Sequence, residues 1–223
     1  MAVARKMLTG MVLAAGMSVF GAAAQSLPAL QEFYFDDDVA AVTPVVVPAD
    51  SSDVVDQLMK QRERGRKALE ATVQLASVAY AQGRPELGRE LYADAEKNAP
   101  GTSVPGRMVR WNHGWDLFRQ GQPEAALEQW HAAASALRGN PSWIPPTYAL
   151  ALWQLGQKEE AVKWYAAAVR TEPGQWSTST NYPSLLPTWR DSERATLAQV
   201  QHCLLYTSPS PRDRTRSRMP SSA

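Results

Sequence analysis

Apolar residues are distributed along this chain in three ways, each predicting a different kind of segment. Near the start, Met7 to Phe20 is a largely apolar run behind Arg5 and Lys6. From Gln25 to Asp50 the apolar residues follow no period: Phe33-Tyr34-Phe35, the acidic run Asp36-Asp37-Asp38 and Pro44-Val45-Val46-Val47-Pro48 succeed one another. Proline lacks a backbone donor and biases its predecessor to extended geometry, so residues 25–50 read as a linker or a lone extended strand. Adjacent carboxylates without spaced ligands rarely converge on one calcium ion, and the Asp triplet reads as a solvated charge run. From Asp53 onward the spacing turns helical. Val54, Val55, Leu58 and Met59 share one face, with Ser51 or Ser52 available as N-cap.

Within the helical part a repeat emerges. Gly83, Gly121 and Gly156 each end one helical stretch and begin another, at separations of 38 and 35 residues. Fixed offsets from these glycines carry fixed residue types. Seven before stand Ala76, Gly114 and Ala149; five after stand Gly88, Ala126 and Ala161. Small side chains there suit the closest approach of two helices in a hairpin. Nine after stand the aromatics Tyr92, Trp130 and Tyr165, and twelve after stand Ala95, Ala133 and Ala168. Pro100, Pro141 and Pro173 follow and stop the second helix of each unit.

On these residues the chain resembles the tetratricopeptide repeat family, whose unit is a helix-turn-helix of about 34 residues. The resemblance covers repeats at about 69–102, 107–141 and 142–175, strongest at the turn and second helix. It implies an all-α fold: a short right-handed solenoid of about three helix hairpins, within a domain spanning 51–202 and carrying flanking helices. Asp191 or Ser192 is placed to cap a last helix through Leu197 and Val200. The Lys and Asn constellation with which chaperone-binding members clamp a C-terminal carboxylate is not visible, Asn112 standing without the lysines.

Both ends read differently from the middle. Residues 1–24 have the order of a secretory signal, with Ala22-Ala23-Ala24 as cleavage site before Gln25. The apolar run spans only about 21 Å as a helix, short of a bilayer core, so no stable membrane anchor is expected after cleavage. That places the protein in the bacterial periplasm or outside the cell. Cys203 to Asp213, CLLYTSPSPRD, resembles a translated sequencing-library adapter, so residues 203–223 read as an artefactual, disordered tail. Between Gln25 and His202 there are 17 basic and 21 acidic residues, which removes the basic footprint of a nucleic-acid binder.

Candidate chemistry is sparse. The sole cysteine, Cys203, lies in the tail, and His113, His131 and His202 have no companions at metal-ligand spacing. His113 and Asp116 form an i, i+3 pair that reads as structural rather than catalytic. No cofactor, metal site or enzyme motif is indicated. Tryptophan stands out instead: all eight lie between Trp111 and Trp189. Tyr80, Phe118 and Trp153 stand three residues before the turn glycines, and Trp111 and Trp115 precede Phe118 at helical spacing. This stripe, Tyr80, Trp111, Trp115, Phe118 and Trp153, either fills the core between helices or faces the concave groove where, by the resemblance, a peptide or protein partner binds. The function expected is a non-catalytic interaction scaffold of the cell envelope. The alternative is a glycan- or peptidoglycan-binding module using exposed tryptophans.

Overall fold

A computed structural model describes residues 27–33 and 35–207 of the chain. The proposed signal, 1–24, and the tail beyond 207 lie outside the described residues. Among those described there are ten α-helices, one 3-10 turn and no strand. The helices are α1 (Val54–Arg64), α2 (Ala68–Ala81), α3 (Pro85–Asn98), α4 (Val104–Arg119), α5 (Pro123–Ser135), α6 (Ile144–Gln154), α7 (Lys158–Thr171), α8 (Pro173–Trp176), α9 (Tyr182–Leu185) and α10 (Asp191–Thr207). The leading helix ends at Gly65, where an added Cβ would run into Gln61. It begins after Asp53, which, like Ser51 and Ser52, makes no side-chain cap to it. α10 runs on through Cys203 to Thr207, past the point where the sequence suggests disorder begins.

Helices α2–α3, α4–α5 and α6–α7 pack as consecutive pairs, α1 lies on α2, and α10 lies on α6 and α7. Each pair turns at one of the three glycines. Gly83, Gly121 and Gly156 have φ of 71°, 75° and 76°, the left-handed region that side chains resist. The reversal is closed by bonds to the carbonyl five residues back: Arg84 N–H to Ala79 O at 2.9 Å, Gln122 to Leu117 at 3.0 Å and Gln157 to Leu152 at 2.9 Å. This is the Schellman way of satisfying the last carbonyls of a helix. Pro85 and Pro123 then open α3 and α5, where the missing N–H costs nothing.

The small and aromatic offsets land where the sequence places them. Ala76, Ala126, Ala149 and Ala161 are fully buried, as are Tyr92, Trp130 and Tyr165. Gly114 faces the Trp130 ring so closely that an added Cβ would lie 2.6 Å from Cδ1. The indole N–H of Trp130 is fixed by a 3.1 Å bond to the Trp111 carbonyl. Tyr165 donates its hydroxyl proton to the Trp176 carbonyl and accepts one from Tyr182, both at 2.6 Å, and burial pushes its pKa up to about 12.

Two apolar clusters make up the core. One gathers Leu58, Val73, Leu75, Tyr92 and Val109 with Ala40 and Val47 from the segment before the helices. The other runs from Trp111 through α5, α6 and α7 to Val200 on α10.

Candidate functional site

Residues 35–47 are not a free linker. They form a strap that lies across α2, α4 and the start of α6, its N-terminal end on the third helix pair and its C-terminal end on the first. At the third pair Asp36 is held by the loop before α6. Its N–H donates to Asn140 O at 2.9 Å, its carbonyl accepts from Ser142 N–H at 3.2 Å, and its carboxylate accepts from Asn140 N–H at 2.6 Å. This forms the isolated parallel bridge between Asp36 and Pro141.

One step further, the Asp38 carboxylate enters a pocket between α4 and α6. Arg107 donates to it at 3.1 Å and the Trp143 indole N–H at 3.1 Å, while Ala40 N–H closes a local turn on it at 3.0 Å. The Asp38 side chain is 3% exposed and that of Arg107 10%. A carboxylate so far out of water stays only because cation and donors surround it. Asp36 and Asp38 are therefore anchors, and of the triplet only Asp37 is exposed. The expectation of a solvated charge run is corrected on this point.

The rest of the strap is held through its backbone. Asn112 on α4 donates to Val42 O at 2.9 Å and to Met108 O in its own helix at 2.8 Å. On α2 the Gln74 amide makes three bonds: its oxygen accepts from Val46 and Val47 N–H at 2.7 and 3.1 Å, and its nitrogen donates to Val47 O at 2.5 Å. Such contacts hold the strap by its main chain, not by its side-chain sequence. Before the strap, Glu32 pairs with Arg170 on α7, and that guanidinium holds the Glu32 carboxyl below its usual range.

Between the strap and the C-terminal turns lies a cleft of about 680 Å³. Trp111 and Trp115 of α4, Trp143, Trp176 and Trp189 wall it on the helical side, and Val39, Val42 and Val45 of the strap on the other. These valines are 72%, 53% and 68% exposed. Arg119 sits at the cleft with its guanidinium 5.1 Å from the Trp115 ring centre, while bonded to Glu193 of α10.

The aromatic stripe divides. Trp111 and Trp115 reach the cleft wall, though both are buried. Trp115 meets Trp111, Phe118, Trp130 and Trp189 edge to face, at centroid distances of 4.9 to 6.1 Å. Tyr80 and Phe118 are core residues. Trp153 is half-buried on another surface, beside Ala195, Ala198, Gln199 and His202 of α10, with Lys158 over its ring. The stripe is thus part core, part cleft wall, and not one continuous groove face.

His113 and Asp116 do not form a pair with each other. Asp116 accepts from Ser77 and Tyr92 hydroxyls, both at 2.6 Å, and burial raises its pKa against the pull of those bonds. His113 stacks on Tyr92 at 4.2 Å, and its Nδ1 lies 3.5 Å from Glu96. The cluster joins the first helix pair to the second. Among the described residues no three His, Cys, Asp or Glu side chains are placed to hold a metal ion. Among them, too, no helix is long and apolar enough to cross a membrane.

No family model, curated protein or solved structure matches the chain. Its function is therefore argued from the strap site alone. Sequence reasoning misses Gln74, Arg107, Asp38 and Trp143, which carry most of that site's polar bonds. The available signal is only a polar residue interrupting an apolar stretch of sequence: Gln74 between Val73 and Leu75, and Arg107 before Met108 and Val109.

Proposed function

We propose that this protein is a tetratricopeptide-repeat-like solenoid of three hairpins that serves as a non-catalytic scaffold of the bacterial envelope, binding a peptide or protein segment across α2, α4 and α6. The observation that carries the reading is the backbone cradle. Gln74 and Asn112, one helix pair apart, bond the main chain of the strap at Val42, Val46 and Val47, where it runs from a turn over Asp38–Val42 to a bend at Val46–Val47. A surface that satisfies a peptide's N–H and C=O groups through helix side chains is built to receive polypeptide, since each buried main-chain group needs a partner. The signal-like residues 1–24 support export.

The tryptophan-walled cleft is what favours the second reading, a glycan ligand. Four of its five rings are enclosed, however: Trp111, Trp115, Trp176 and Trp189 retain no more than 7% exposure, and the half-buried Trp143 is tied to Asp38 through its indole N–H. Sugar stacking needs a free ring face, so the peptide reading stands first. The test places a photo-crosslinking residue at Thr188, on the cleft rim, and irradiates the protein with envelope extract or with purified sacculi. Polypeptide adducts whose crosslinked peptide is extended and lies across α4 are the expected result. Retention on sacculi with no polypeptide adduct would overturn the peptide reading in favour of the glycan one.

A further inference from the structure

The strap fills the site with a particular sequence, and the site meets that sequence at two carboxylates. Asp36 is met by the main chain of the loop before α6, and Asp38 by Arg107 and Trp143. We propose that this surface is a receptor for an extended acidic D-x-D segment of a partner protein, and that residues 36–47 occupy it in cis as a self-ligand that such a partner displaces. The proposal rests on the peptide-groove reading and adds to it the chemistry of the partner and the plug that must leave.

Three observations point to a ligand that is exchangeable. First, the self-ligand uses Arg107 incompletely. One terminal nitrogen reaches Asp38, the other makes only a 3.4 Å contact with Thr102 O, and the buried Nε has no partner. A guanidinium offers a carboxylate two parallel donors, so a trans ligand that engages both binds it better than Asp38 does. Second, only part of the strap's apolar surface is buried. Val39, Val42 and Val45 stay mostly in water, while Ala40 and Val47 are buried and Phe35, Ala41 and Val46 pack against the core clusters. Third, the strap is joined to the helical array by a single covalent connection through Asp50 to Asp53. Its contacts with the site therefore act at the millimolar effective concentration that a short tether gives, and a partner must compete with that.

A carboxylate at the place of Asp38 is selected over a neutral isostere for a physical reason. Without it Arg107 is left as a buried, unpaired cation, which is the larger penalty in breaking such a pair. The same pocket excludes a basic residue there by like charge.

The test uses the full chain carrying a specific protease site inserted between Asp50 and Ser51. Cleavage of the folded protein turns the strap into a non-covalent ligand that washes out, with circular dichroism confirming that helicity is kept. The probe is a fluorescent peptide of residues 35–48, and a second peptide in which Asp36 and Asp38 are both Asn. We expect the cleaved chain to bind the Asp peptide at least about tenfold tighter than the Asn peptide. The uncut chain should bind the Asp peptide at least about tenfold more weakly than the cleaved one, because the tethered strap competes. Arg107→Gln in the cleaved chain should reduce the preference for Asp to near unity, and Arg107→Lys should restore part of it. Equal binding of the two peptides by the cleaved chain would overturn the D-x-D selectivity while leaving the peptide groove standing. Equal binding of the Asp peptide by cut and uncut chains would overturn occupancy in cis. Binding of neither peptide to a cleaved, helical protein would overturn both this proposal and the peptide groove beneath it.

Discussion

Gly114→Ala sets two opposing effects against each other at a site where the geometry decides the winner. Gly114 lies inside α4, where alanine is favoured over glycine by about 1 kcal/mol on helix propensity alone. The new Cβ, however, would stand 2.6 Å from Cδ1 and 2.9 Å from Cε2 of Trp130, and closer still to Nε1. The ring has nowhere to go. Trp130 is fully buried, its N–H is tied to Trp111 O, and Trp115 and Phe118 pack against it at 5.1 and 6.0 Å. Overpacking of a core costs about 1–3 kcal/mol, and a ring boxed in this way belongs at the upper end. The net expectation is a loss of about 2 kcal/mol, or roughly 4–8 °C in Tm for a domain of this size. Urea unfolding followed at 222 nm measures it as a lower midpoint with unchanged slope. Gly174→Ala is the control, since a Cβ there meets nothing within 4 Å and its stability should be unchanged or slightly raised. Adding Trp130→Phe removes the clashing pyrrole edge, so the double variant should lose less than the sum of the singles. Wild-type or higher stability for Gly114→Ala would refute the packing register that brings the residue seven before the turn glycine against the one nine after it.

Three further outcomes are expected from the same unfolding assay. Trp115→Ala should cost about 3–5 kcal/mol and Trp153→Ala well under half of that, because only the former is enclosed by four aromatic rings; equal losses would contradict the division of the stripe. Gly121→Ala should cost about 1–2 kcal/mol from its positive φ alone, with Gly121→Asn cheaper, and an unchanged midpoint would mean that the turn relaxes to another shape. Burial raises the pKa of Asp116 from 3.8, so its contribution to stability is full below that value and is lost as pH rises through the higher folded one. Asn cannot ionise, and Asp116→Asn should therefore gain on wild type as pH goes from about 3.5 to 7. A difference that stays flat or runs the other way would contradict the assignment.

What could be read from the sequence was what local geometry imposes. The turn glycines announce themselves because φ near 75° admits little else, and the residues at fixed offsets follow because two helices at that turn touch at only a few places. The strap was illegible for the opposite reason. Nothing near Asp38 in the chain hints at Arg107, 69 residues away, so an acidic triplet flanked by prolines reads as solvated spacer. The aromatic stripe was half legible. Tyr80, Phe118 and Trp153 share one register position, yet the first two are covered by a following helix pair, while Trp153 belongs to the last pair and is covered only in part, by α10 and Lys158. Register fixes which way a side chain leaves its helix. Burial depends on what the next unit brings.

A stack of helix pairs ordinarily behaves as a one-dimensional lattice, in which each unit feels only its neighbours and the ends fray first. The segment through residues 32–47 changes that connectivity. It links the third pair, through Glu32–Arg170 and Asp36–Asn140, to the first, through Gln74, with sequence separations of 138, 104 and 28 residues. These are loop closures that the chain must complete before they add stability, so they slow folding relative to a bare helical array. Once made, they bind non-adjacent units into a single cooperative block that opens all at once. Amide exchange in the terminal pairs should then report global unfolding while the segment is in place, and independent fraying of each pair when it is not.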